Sequence, residues 1–258
     1  MRSPGAGPLL FAVGMAGLGI LSLIFRDFAL NWQPVPTWVP WHVPLALLSG
    51  AMLAAGGLGM LFRRTAQGAA ALLTLNVLVW LVLLEIPRVV AAPAVEAMWL
   101  GLGETLVLVC GAWISFVSLS RPVGQWSATP VSDTQLRVGR VLFALALLPI
   151  GLSHFVYVNE TAQMVPAWLP ARTGLAYLTG AGHAAAGLGL LFSVVPRLAA
   201  TLEAVMMSSF VLLIHIPAVA HAPTDRLQWT MLSVATALAG SAWTVAGSFT
   251  RVRTGTNR

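Results

Sequence analysis

Apolar stretches of about span length, separated by short breaks of Pro, Arg, Gly and Trp, recur along the chain. They predict helices at about 9–25, 45–62, 67–86, 94–119, 138–158, 172–192, 197–216 and 225–249, each close to the roughly 20 residues that cross a hydrocarbon core. This pattern reads as an all-α, polytopic integral membrane protein with eight transmembrane helices. No small-x-small cleavage site precedes Arg26 and Asp27, so the first run is kept as a span rather than a signal peptide.

The breaks repeat. At an offset of 130 positions, Val35, Pro36, Trp38, Pro40, Gly50, Gly57, Gly59 and Phe62 meet Val165, Pro166, Trp168, Pro170, Gly180, Gly187, Gly189 and Phe192. The register continues, with Ile86-Pro87 on Ile216-Pro217 and Trp99 and Trp113 on Trp229 and Trp243. A tandem duplication follows, with a first four-helix repeat at 1–119, a cytoplasmic linker at 120–137 and a second repeat at 138–258. Because each unit has an even number of spans, both copies insert the same way up, as parallel repeats. Prolines 34, 36, 40 and 44 predict an extended outer turn that sets its Trp residues at the headgroup level. In the helix that follows, Ala51, Ala55 and Gly59, copied as Ala181, Ala185 and Gly189, form a small-residue stripe expected to pack neighbouring backbones closely.

Composition decides the solvent. The chain is 58% hydrophobic and 9% charged, with a mean hydropathy of +0.84, far from the roughly 25% charged residues of a soluble domain. Its partner is therefore the lipid bilayer, and the basic excess is read as topology, not as a nucleic-acid interface. All fourteen basic residues are Arg; ten fall on one side of the alternating loops and four on the other. The positive-inside rule then places both termini in the cytoplasm of a bacterial-type inner membrane. Cys110 is the single cysteine, so the chain carries neither a disulfide framework nor a metal-spaced pair.

Gly151-Leu-Ser-His154-Phe155, Val165-Pro166-Ala-Trp168-Leu169-Pro170, Tyr177-Leu-Thr-Gly180 and Gly187-Leu-Gly-Leu-Leu191 resemble the DoxX-like family of four-helix membrane proteins. The first half resembles a diverged copy, through Asp27-Phe28-Ala29 and Trp38-Val39-Pro40. The resemblance implies an accessory role in a quinone-linked respiratory or sulfur-oxidising complex. The Gly-x-x-His-Phe signature is intact only in the second half, where it contains His154.

Ionisable residues within spans are costly and mark function by default. Counting helical rise places Glu104 and His183 near mid-membrane, Glu203 about a third of the way in from the cytoplasm, and His154, His215 and Glu85 toward the outer ends. His154 follows Pro149, whose missing N–H leaves the Leu145 carbonyl free, and this suggests a kinked, polar-lined site. His154, His183, Glu104 and His215 are accordingly the candidate cofactor-binding residues; Glu203 ranks below His154. The cofactor is left open; a quinone is what the family resemblance implies, and an imidazole with an ordinary pKa near 6.5 suits it by exchanging protons at neutral pH. Haem held by His154 and His215 is disfavoured. No phosphate-binding loop, Cys pair or His-Glu-x-x-His motif is present, and no catalytic residue is assigned. The resemblance together with these protonatable residues implies an accessory subunit partnered with redox-complex subunits, with a small-solute or lipid transporter and a ligand-free assembly factor as alternatives.

Overall fold

The computed structural model describes residues 5–120 and 130–249. The linker segment 121–129 and the tail from 250, with Arg121, Arg251, Arg253 and Arg258 of the arginine asymmetry, lie outside the described residues, as does Arg2. The described chain is helical without strands: α1 (Ala6–Phe25), α2 (His42–Met60), α3 (Ala66–Ala91), α4 (Glu96–Leu119), α5 (Pro130–Val156), α6 (Val158–Met164), α7 (Arg172–Leu191), α8 (Pro196–His221) and α9 (Arg226–Ser248). Six of them (α1 to α5 and α8) are long and apolar enough to cross a membrane. The helices α7 and α9 have the length but carry more polar residues, among them Thr173, Thr179 and His183 in the first and Gln228, Thr230 and Thr236 in the second.

The long helices form a closed bundle. Each packs on the next in chain order, α9 returns to α1, and α4 meets α9 at the centre. The outer wall is apolar: Ile24, Leu83 and Leu178 are each 66% exposed, which water would penalise and lipid does not. With lipid as solvent, burying Leu against Leu brings little gain, so close backbone packing has to hold helices together. Glycines provide it. A Cβ on Gly50 would lie 2.8 Å from the Ser22 Cβ, and one on Gly57 would fall on the Ala16 backbone; across α5 and α7, Gly151 and Gly180 do the same. The expected stripe is displaced. Ala51, Ala55, Ala181 and Ala185 face outward, because the rotation of α2 and α7 about their own axes is set by the Gly50–Gly57 and Gly180–Gly187 faces, one residue round.

Two helices outlast their prolines. The sequence ends them near Ile86 and Ile216, yet α3 reaches Ala91 and α8 reaches His221. Each inserts a π-turn, Leu81–Glu85 and Val211–His215, in which the N–H of Ile86 or Ile216 donates to the carbonyl five residues back. The wider turn accommodates Pro87 and Pro217, which cannot donate to the ladder. Pro44 likewise lies inside α2, in its first turn, where no N–H is needed. The turns that precede α2 and α7 also differ, since α6 occupies the second and no helix occupies residues 26–41. Trp41 and Ala171, 130 positions apart, both take left-handed backbone conformations just before α2 and α7.

Polar contacts tie the halves at both ends. Arg226 donates to the Asp27 carboxylate at 2.9 Å and to the Phe28 carbonyl at 2.7 Å, joining the start of α9 to the α1–α2 turn. At the other end Arg140 donates to the Ser248 hydroxyl at 2.8 Å and stacks 4.0 Å over the Phe249 ring.

Candidate functional site

The site grows out of the α5–α7 crossing. Helix α5 continues through Pro149, which lies inside it. Polar side chains converge on the next residue: the Ser153 hydroxyl donates to the Ile150 carbonyl at 2.7 Å, and His154 Nδ1 does so at 2.8 Å. A carbonyl can only accept, so Nδ1 carries the His154 proton and Nε2 is left as the basic nitrogen. A Cβ at Gly180 on α7 would lie 2.7 Å from the His154 Cβ, and one at Gly151 on α5 would lie 3.3 Å from the His183 Cβ. Glycine at both positions therefore lets the two histidines meet. Their rings are 5.0 Å apart between centroids, tilted by 51°.

His183 then reaches α8. Its Nδ1 lies 2.7 Å from Glu203 Oε1, with both side chains buried. Phe210 packs against both imidazoles, at 6.4 Å from His154 and 6.0 Å from His183. The result is a continuous row, His154, His183 and Glu203, drawn from three helices.

The four candidate residues do not all assemble. His154 and His183 belong to the row. His215, at the end of the α8 π-turn, is buried and lines with His154 a partly open cavity of about 220 Å³, together with Thr179, Phe210 and Met164. Glu104 goes elsewhere. It accepts from Trp32 Nε1 at 2.6 Å, and Glu85, Glu96 and His183 are its titratable neighbours. Glu85 forms an ion pair with Arg88 at 3.0 Å. Among the described residues no group of three His, Cys, Asp or Glu side chains is arranged to hold a metal ion.

Glu203 is the residue that sequence reasoning undervalued, with Phe210 beside it. A signal for Glu203 was present in the hairpin. His183 lies eight residues before the end of α7 at Leu191, and Glu203 lies seven after the start of α8 at Pro196. With a rise of about 1.5 Å per residue, an antiparallel pair joined by a tight turn puts both at about the same depth. At the 130-offset the row reads Ile24, Leu53 and Leu73, and both leucines are fully buried. The same helical frame thus accommodates an apolar pair in the first half and a polar pair in the second.

A family model described as a domain of unknown function (DUF8561) matches residues 143–246, a stretch that begins in α5 and ends in α9 and so contains the whole row. No curated protein and no solved structure matches the chain.

Proposed function

We propose that the chain is an eight-span membrane protein built as two parallel four-helix repeats, and that its second repeat holds the head of a quinone-like ligand as an accessory subunit of a membrane oxidoreductase. The duplication is supported by element starts that keep the offset from the second helix of each unit onward: α2 and α7 start 130 positions apart, as do α3 and α8, the two π-turns, and α4 and α9. The subunit role extends what the resemblance to the DoxX-like family implies.

One observation carries the ligand reading. The basic nitrogen of His154 belongs to a residue that lines an apolar cavity and is backed by the buried His183–Glu203 pair. At about 220 Å³ the cavity is smaller than the roughly 300–1,000 Å³ of drug-sized sites. It suits a single ring, with an isoprenoid tail leaving between α5, α7 and α8 into lipid. Conversion of a quinone to a quinol takes two electrons and two protons; redox subunits supply the electrons, and His154 is placed to exchange protons at the ring oxygen.

Removing one neutral hydrogen bond to a ligand costs roughly 0.5–1.5 kcal/mol. His154→Ala should therefore weaken quinone retention about two- to tenfold in native preparations, while His221→Ala, whose ring is exposed and bound to the Pro217 carbonyl, leaves it unchanged. Full quinone occupancy and partner activity in His154→Ala would sink the reading.

The topology has its own test, motivated by the ten-to-four arginine split. Cysteines introduced singly at Ser127 and Thr256, both outside the described residues, should be protected from an impermeant thiol reagent added outside intact cells. A cysteine at Thr161, in α6, should react. The native Cys110 is buried and contributes no background. Labelling at Ser127 would overturn the orientation.

A further inference from the structure

Two cavities approach the polar row from opposite directions. The first is the outer cavity on His154. The second, about 300 Å³, is a groove between α7 and α8 that has Glu203 and Met206 at its inner end and runs past Leu198 to Val194 and Val195 in the α7–α8 turn. Glu203 stands seven residues into α8, about 10 Å from that turn at 1.5 Å per residue. Between the two cavities stand His154, His183 and Glu203.

The middle of the row is polar where packing does not ask for polarity. His183 and Glu203 are each 1% exposed, and beyond their shared contact His183 Nε2 and Glu203 Oε2 have no hydrogen-bond partner. Such atoms destabilise a fold, and the first half shows that Leu53 and Leu73 occupy the corresponding positions without them. A polar pair kept at this cost, with a cavity at either end, is suited to holding and passing protons.

We propose that His154, His183 and Glu203 form a proton relay through the second half of the bundle, connecting the outer cavity with the groove at the α7–α8 turn. A proton taken up at His154 Nε2 passes to His183 Nε2. The imidazolium so formed releases its Nδ1 proton to Glu203 Oε1, and the neutral acid passes a proton to water entering the groove from the α7–α8 turn; a turn of the His183 ring then presents its bare Nδ1 to His154 for the next proton, and the return turn brings that Nδ1–H back to Glu203. One proton enters and one leaves. The handover between the histidines is the gate, because His154 Nδ1 is tied to the Ile150 carbonyl and its ring must rotate before the 5.0 Å centroid separation becomes a hydrogen bond. Glu104 on α4, the next acid near His183, is held by Trp32 and stands off the row.

The test uses the full-length chain in liposomes with an internal pH-sensitive dye and a potassium diffusion potential set by valinomycin. No quinone is present, so failure here leaves the ligand reading standing. The wild type should acidify or alkalinise the lumen several-fold faster than protein-free vesicles. Glu203→Gln should reduce that excess at least tenfold, and Glu104→Gln should retain it, with size-exclusion profile and Trp emission confirming folded protein in each case. Wild-type flux no faster than empty vesicles, full flux in Glu203→Gln, or loss of flux in folded Glu104→Gln would each overturn the relay.

Discussion

Replacing His183 by Leu alone should destabilise the folded chain, and replacing Glu203 by Leu in the same molecule should restore most of the loss. Orphaning a buried polar group costs roughly 1–3 kcal/mol, and orphaning a buried charge roughly 3–5 kcal/mol. The single variant strands Glu203, 1% exposed, against apolar neighbours, so it loses at least the smaller amount. The double variant recreates the Leu53 and Leu73 pair that the first half already packs, both fully buried at the offset of 130. Apolar replacement of a complete buried pair is often neutral or stabilising. Unfolding titrations in detergent on both single variants and the double variant would measure the coupling. Losses that simply add would mean that the pair is not the unit argued here, and that the two side chains serve packing independently. The double variant also separates stability from chemistry, because it should fold while conducting no protons.

The second large effect is expected at the seam between α1 and α9. A Cβ on Gly240 would fall on the Phe11 amide nitrogen and lie 2.6 Å from the Phe11 Cα. These are backbone atoms, which cannot turn aside as the end of a flexible side chain can. Gly14, on the facing helix, is in the same position against the Ser233 carbonyl and the Ala237 backbone. Gly240→Val should therefore force α1 and α9 apart along their length, at or beyond the upper end of the roughly 1–3 kcal/mol of ordinary overpacking, and folded protein should be lost from membrane extracts. Gly68→Ala, where nothing lies within 4 Å of the added Cβ, should express normally and gain slightly from helix propensity. Normal yield and melting behaviour for Gly240→Val would show that the helices can separate without penalty, contrary to the backbone-contact argument.

How much of the site could be read from the sequence depends on which helices each residue must meet. The cost of an ionisable group inside a span is a property of one residue and one helix, so His154 and His183 stood out from their depth alone. Their contact needs the α5–α7 crossing, which depends on Gly151 and Gly180 facing each other. Glu203 was undervalued because its depth was counted separately from that of His183, although the four residues between Leu191 and Pro196 tie the two helices into one register. Glu104 shows the converse. It had the right chemistry and depth, but Trp32, in the α1–α2 turn, claims its carboxylate.

By itself the sequence determined the solvent, the helical class and the 130-residue offset. These depend on composition, on apolar run length and on Pro and Gly punctuation, which are local or additive along the chain. Tertiary structure decided how each helix is turned about its axis, and so why Gly50 and Gly57 face a neighbour while Ala51 and Ala55 face outward. It also decided that α3 and α8 continue past Pro87 and Pro217 through π-turns, since a helix end is chosen by the packing that remains available beyond it. The joining of His154, His183 and Glu203 was settled at the same level, because hydrogen bonds between spans depend on rotation and register that no single helix carries.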